Sequence, residues 1–226
     1  MPTTQIRPFL RDPGTWLQRL GERELSGRPA LFLDRDGVIV EEVNYLHRME
    51  DVRIIPGVAE AIAAAHARDV AVIVVTNQAG IGRGYYSWEQ FAEVQDHILG
   101  ALGKAEAVVD LVLACAYHKD GLNELRAEDH AWRKPGPGMF LEAEKSLGIA
   151  LGTSHIIGDT VTDMQAGFRA GLPGGTLVLT GHGMRDRDLH SSALQDLQRQ
   201  GFALDYCDQP GDAIMRWLDS VEPRLR

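Results

Sequence analysis

Four short stretches carry side chains whose types and spacing suit one reaction. "FLDRDGVIV" (32–40) places Asp34 and Asp36 two residues apart behind an apolar run, with Gly37 straight after. Strand residues two apart point to the same side, so two carboxylates are thrust together where a buried strand ends, and they repel. "TNQAGIGRGYY" (76–86) offers the Thr76 hydroxyl, the Asn77 amide and glycines at 80, 82 and 84 that let backbone N–H groups approach an anion. "RKPGPGM" (133–139) sets Lys134 just before a proline, and "GDTVTDMQAG" (158–167) adds Asp159 and Asp163, four apart at a helix start.

Asp34, Asp36 and Asp159 repel in a partly dry cleft unless a cation joins them. A hard divalent ion with oxygen ligands, magnesium, resolves that repulsion. A lysine beside the acids neutralises a phosphate and the charge that develops in its transfer. Each stretch also has an ordinary reading: Asp-x-Asp-Gly as a solvated turn, the glycine segment as a connection, Lys134 as a solvated loop residue, and Asp159 with Asp163 as a capping pair. The glycine segment is not a P-loop, because no Gly-Lys-Ser/Thr follows at the required spacing. What favours a site is the position of these groups behind buried strands.

The strands come from apolar runs at 30–34, 70–76, 108–116, 154–159, 175–181 and 202–206. Between them, helical spacing covers 56–69, 87–103 (with Ser87 as N-cap), 136–148, 162–171 and 210–221, with a loop and short helix over 182–200. Continuous apolar strands alternating with amphipathic helices imply an α/β fold, a mostly parallel sheet covered on both faces. Ligands bind beyond the carboxyl ends of such strands. Asp34, Thr76–Asn77 and Gly158–Asp159 end three strands, and Lys134 follows a fourth after a loop, so all should meet at one edge. Residues 1–28 read as an N-terminal extension, with "DPGTWLQRLGEREL" (12–25) as a short helix capped by Asp12 and opened by Pro13. Residues 29–221 read as one domain.

Bulk properties narrow the partners. With 226 residues, 44% hydrophobic and 24% charged, the chain is sized for a substantial core. A net charge of -9 argues against nucleic acid or an acidic membrane as a general partner. Two cysteines make no disulfide framework. With no signal-peptide core at the N-terminus and no apolar run of spanning length, the expected home is the cytoplasm. No obligate protein partner is inferred.

"DRDGVI", "TNQAGIGRG", "RKPGPGM" and "GDTVTDMQAG", in this order, resemble the four motifs of the haloacid dehalogenase (HAD) superfamily of aspartate-nucleophile phosphatases. Within it the chain is similar to the D,D-heptose 1,7-bisphosphate phosphatase and histidinol-phosphatase group, on "TNQAGIGRGYY", "RKPGPGMF" and "NYLHRMEDVRIIPGV" (44–58). The resemblance runs from about residue 30 to 180. It implies a three-layer α/β/α sandwich with a Rossmann-like sheet, and an enzyme: a phosphoric monoester hydrolase of carbohydrate metabolism. Asp34 would be the nucleophile that forms an aspartyl-phosphate, and Asp36 the acid and base. One magnesium ion would be held by an Asp34 carboxylate oxygen, the Asp36 backbone carbonyl and Asp159. Thr76, Asn77 and Lys134 would bind phosphoryl oxygens. Arg133 would contact substrate, Arg83 would orient the glycine loop, and Asp163 would support Lys134 or a metal-bound water. From a mobile flap over 37–55, Glu42, Asn44 and Tyr45 would reach the substrate. The spacing between motifs leaves no room for a cap domain, so the enzyme reads as capless.

The group's usual structural zinc pattern, Cys-x-His then Cys-x-Cys before the Arg-Lys pair, reads here as Cys115, Tyr117, His130 and Trp132. Tyrosine and tryptophan are poor zinc ligands, so a structural zinc is not expected; Cys115, His118 and His130 offer a rearranged three-ligand alternative. The expected substrate is a small phosphorylated metabolite, first D-glycero-D-manno-heptose 1,7-bisphosphate losing its 7-phosphate. The alternatives are histidinol phosphate or another sugar phosphate. A receiver-like phospho-acceptor without turnover is the alternative of another class, and Asp36 argues against it, because a stable phospho-switch needs no acid-base group beside its nucleophile.

Overall fold

The apolar runs become the middle of the sheet in the computed structural model of the chain, which describes residues 6–221. In chain order the elements are β1 (Leu10–Asp12), β2 (Thr15–Arg19), β3 (Ala30–Leu33), α1 (Val58–Ala67), β4 (Ala71–Asn77), α2 (Ala79–Gly82), α3 (Trp88–Gly103) and β5 (Leu111–Cys115). Then follow α4 (Gly138–Leu147), β6 (His155–Gly158), α5 (Val161–Arg169), β7 (Gly174–Val178), α6 (Gly183–Leu189), α7 (Ser191–Arg199), β8 (Ala203–Cys207) and α8 (Pro210–Val221). The eight strands form one sheet in the order β1-β2-β5-β4-β3-β6-β7-β8. From β5 to β8 every pairing is parallel.

Side chains alternate across the sheet and divide the core in two. On one face Leu31 and Leu33 of β3 pack with α1, α3 and α8; on the other Ala30 and Phe32 pack with α4, α5 and α7. Phe32 meets Phe140 of α4 with ring centroids 4.6 Å apart. This is the three-layer sandwich expected from the pattern. Ser87 caps α3 in a reciprocal box with Gln90, as its position predicts. Only a flap and α1 lie between β3 and β4, and only α2, α3, β5 and a loop between β4 and Lys134, so no cap domain interrupts the motifs.

The helix expected over 12–25 is not formed. Asp12 Oδ1 instead accepts the Gly14 backbone N–H at 2.8 Å, closing a turn between β1 and β2. β2 then pairs antiparallel along all of β5, from Thr15 opposite Cys115 to Arg19 opposite Leu111. The free edge of β5 needed a partner, and Trp16 gains an aromatic pocket made by Phe9, Trp88 and Phe91. Tertiary pairing overrides the local helical spacing. The segment 182–200 resolves into two helices, α6 and α7, rather than a loop and one short helix.

Candidate active site

The carboxyl ends of β3, β4 and β6 form one rim, because these strands are parallel neighbours. Above it is a cavity of about 340 Å³ bordered by Asp34, Asp36, Thr76, Asn77, Lys134 and Asp159, with Glu42, Asn44 and Tyr45 of the flap and Arg133 at its sides. That size falls in the range of small-molecule sites, roughly 300–1,000 Å³. The base of the flap belongs to the core: Val38, Ile39, Val40, Leu46, Val52 and Ile55 are all buried.

At the centre Lys134 joins two acids. Its Nζ lies 3.0 Å from Asp34 Oδ1 and 2.6 Å from Asp163 Oδ1, and donates to the Val75 carbonyl at 2.8 Å. Burial disfavours its charge, yet Asp163 and Asp34 hold its pKa above the ordinary lysine value. Burial pushes the Asp34 pKa upward; Lys134 pulls it down, and Asp163 and Asp36 push it up again. Asp163 serves two purposes, since its Oδ2 also accepts from the Thr160 N–H at 3.0 Å and so caps α5.

Asp159 is buried, and its pKa is driven well upward by burial first and by Asp34 and Asp163 next. Its Oδ2 accepts the His182 backbone N–H at 2.7 Å, while its buried Oδ1 has no hydrogen-bond partner among the described residues. Gly37 and Gly181 cradle this carboxylate. A Cβ at Gly37 would stand 2.4 Å from Asp159 Oδ2, and the residue has φ +80, so glycine is required there twice over. Oxygen atoms of Asp34, Asp159 and Asp163 lie within 4.8 Å of one another. The sequence reading set Asp36 in that repelling group. The structure draws the Asp36 carboxylate aside to Arg35, whose Nη2 is 3.0 Å from Oδ1 and whose Nε is 3.1 Å from Oδ2. Arg35 is itself buried, 5.2 Å from the Phe91 ring.

The remaining groups of these segments have defined partners. Asn77 lines the cavity and also grips the lysine loop: Nδ2 donates to the Lys134 carbonyl and Oδ1 accepts the Lys134 N–H, both at 3.0 Å. It fixes the loop that carries the lysine. Arg83 anchors the glycine segment that carries it to the flap and to the 116–133 loop, donating to Tyr45 Oη at 2.6 Å and Asp120 Oδ2 at 3.0 Å. Gly80 lines the cavity at the start of α2, and Gly82 lies behind it. Added Cβ atoms there would strike the Tyr86 ring and the Ala116 carbonyl, each at 2.1 Å, so these glycines permit close packing of α2.

Arg133 lines the cavity and donates to the Tyr117 carbonyl at 3.1 Å. Next to it, Cys115 Sγ is 3.7 Å from His130 Nδ1, and the His130 ring stacks on Tyr117 with centroids 4.0 Å apart. His118 is engaged separately, by Arg83 at 3.3 Å and the Asp120 N–H at 3.0 Å, so the rearranged Cys115, His118 and His130 set is not drawn together. Glu42, near His182 at 4.0 Å, has a pKa pushed up to about 7 by burial and then by Asp36 and Asp34.

Sequence reasoning missed Arg35, Gln78, Tyr86 and His182. Gln78 stood in plain sight after Thr76–Asn77, but only its contacts mark it. His182 serves through its backbone, which no residue-type signal reveals.

Against known proteins, a HAD-hydrolase-like family model matches residues 131–200. The chain is 47% identical over 170 residues to the D-glycero-β-D-manno-heptose-1,7-bisphosphate 7-phosphatase of Mesorhizobium japonicum, covering 75% of this chain and 78% of that protein. Its fold is similar to that of a candidate HAD-like phosphatase from Mesorhizobium loti, with a TM-score of 0.81 at 39% identity, over 95% of this chain and 96% of that one. It is also similar to D,D-heptose 1,7-bisphosphate phosphatase from B. bronchiseptica complexed with magnesium and phosphate, with a TM-score of 0.71 at 26% identity, over 85% and 99% of the two chains. On this ordered set of motifs, fold and identity, the chain belongs to the heptose-1,7-bisphosphate 7-phosphatase family of HAD-like hydrolases.

Proposed function

We propose that the protein is a magnesium-dependent phosphomonoesterase that removes the 7-phosphate of D-glycero-D-manno-heptose 1,7-bisphosphate through an aspartyl-phosphate. The observation that carries the chemistry is the convergence of Asp34, Lys134, Asp163 and Asp159 on one rim. The substrate reading is supported by the 47% identical relative.

The residues fit a hard cation. Buried carboxylates are costly unless paired, and Asp159 Oδ1 is buried without a hydrogen-bond partner among the described residues. Asp34, the Asp36 carbonyl and Asp159 would hold the ion. Bound magnesium supplies positive charge that keeps these carboxylates ionised and offsets charge on the phosphoryl oxygens.

In the first step an Asp34 oxygen bonds to phosphorus as the ester P–O bond breaks, and Asp36 gives its proton to the departing sugar oxygen. In the second, Asp36 takes a proton from water, whose oxygen attacks phosphorus, releasing inorganic phosphate and restoring Asp34. Lys134, buried and charged, lies 3.0 Å from the nucleophile, where it neutralises phosphoryl charge without solvent reorganisation. The Thr76 hydroxyl and Arg133 complete the polar wall toward the substrate, while Asn77 holds Lys134 in place. Glu42, Asn44 and Tyr45 face the sugar from the flap. Free, buried Cys115 and Cys207 support a reducing, cytoplasmic setting.

The test is phosphate release from heptose 1,7-bisphosphate, sugar monophosphates and histidinol phosphate, with magnesium and with chelator. Heptose bisphosphate should be the best substrate, and chelation should stop the reaction. Asp34→Asn should keep the fold and lose turnover; near-full activity of that variant rules out the nucleophile.

A further inference from the structure

Gln78 lines the cavity at 2% exposure and has no role in the proposed chemistry. Its carboxamide is engaged on every side. Oε1 accepts from Tyr86 Oη at 2.5 Å and from Arg35 Nη2 at 3.3 Å. Nε2 donates to Thr76 Oγ1 at 2.8 Å and to Asp36 Oδ2 at 3.1 Å. The two ends are not interchangeable. Arginine can only donate, so the oxygen must face Arg35, which leaves the nitrogen to face Asp36.

We infer that Gln78 is a positioning residue that aligns the proton-transferring Asp36 with the phosphoryl-binding hydroxyl of Thr76. One N–H reaches each of them, so the two groups share a single rigid planar anchor. Because Thr76 Oγ1 accepts from Nε2, its own O–H is turned elsewhere and is free to donate into the cavity. Because Asp36 is held by Gln78 on Oδ2 and by Arg35 on both oxygens, its carboxylate has a set orientation beside the cavity. Arg35, which can only donate, keeps the amide from flipping, and the Tyr86 hydroxyl adds a second hold on Oε1. Among the described residues the Gln78 side chain makes no hydrogen bond to the nucleophile or to Lys134; it acts through Asp36 and Thr76.

The inference rests on the reading of Asp36 as proton donor, and the test separates the two. Gln78→Met keeps length and removes every hydrogen bond of the amide. Leaving-group release is followed in single turnovers with heptose 1,7-bisphosphate, whose sugar oxygen needs a proton to depart, and with p-nitrophenyl phosphate, whose leaving group does not. General acid catalysis is worth about 10²–10⁴-fold where it is needed, so Gln78→Met should slow the sugar substrate at least about tenfold more than the aryl one. Tyr86→Phe, which frees one side of the amide, should show the same bias to a smaller degree, and decides the matter if Gln78→Met does not fold. An equal loss on both substrates, or no loss, overturns the inference. A wild-type protein that releases phosphate from neither substrate instead overturns the phosphatase reading itself.

Discussion

Replacing Lys134 by methionine tests the electrostatic centre of the site, because it keeps length and apolar stem while deleting the ammonium. Nζ is 3.0 Å from Asp34, 2.6 Å from Asp163 and 2.8 Å from the Val75 carbonyl, and the residue is 3% exposed. Breaking a buried pair by removing one partner costs about 3–5 kcal/mol. The cost has a ceiling, since the acids can take up a proton instead. For a carboxyl of ordinary pKa near 3.9 that costs about 4 kcal/mol at pH 7 and about 1.5 kcal/mol at pH 5. The sign follows from proton counts. Lys134 has a raised pKa, so in the wild type it stays charged throughout this range, and its contribution is lost only as pH climbs past the unfolded lysine value. Asp34, pushed up to about 7 even beside Lys134, takes up a proton on folding in both proteins; the variant's acids bind one proton more than the wild type's, so its deficit grows by about 1.4 kcal/mol per pH unit between pH 5 and 7. Urea unfolding of both proteins in chelator at pH 5, 6 and 7 measures this directly. A deficit independent of pH, or smaller than about 1 kcal/mol at pH 7, refutes the argument that Lys134 neutralises buried charge.

Two further outcomes follow from the same cluster. Asp159→Asn removes a carboxyl that burial makes costly to ionise and whose Oδ1 is unpartnered among the described residues, so the metal-free protein should be more stable by about 1–3 kcal/mol. Magnesium, which at a hundred times its Kd should stabilise the wild type by about 2.7 kcal/mol, should no longer do so in that variant; calorimetry with and without the ion checks both. Glu42, pushed up to about 7, keeps a proton that the unfolded chain loses above its ordinary value of 4.5, so it subtracts stability as pH rises through that window. Glu42→Gln should match the wild type near the lower limit. It should be more stable by about 1–2 kcal/mol at pH 7.5 without metal, a figure reduced for its partial exposure. Identical pH–stability curves would show that the flap carboxylate is well solvated.

Much of the sheet could be read directly because its strands are buried on both faces. "AVIVVT" needs no partner to announce itself: an unbroken β-branched run can lie only between two apolar layers. The same logic placed the ends of β3, β4 and β6 at one rim, which brought Asp34, Thr76 and Asp159 together. Ser87 and Gly148 marked helix ends through local chemistry alone, the first accepting the Gln90 N–H and the second adopting φ 69. The N-terminal hairpin was not legible, because "TWLQRL" has a spacing that suits a helix, and its strand state depends on the unpaired edge of β5 more than 90 residues away.

At the site, residue types were legible and their partners were not. A carboxylate, a lysine or an amide declares what it can do but not which atom it faces. Thus the sequence by itself determined the layer order, the rim and the reacting groups, since apolar periodicity and charged residues at strand ends are local properties of the chain. Only the tertiary structure decided that Asn77 grips the Lys134 backbone, that Arg35 and Gln78 hold Asp36, that Arg83 ties the flap to the following loop and that β2 completes the sheet. Those are hydrogen bonds between segments distant in sequence, and their directions exist only once packing has fixed each donor against its acceptor.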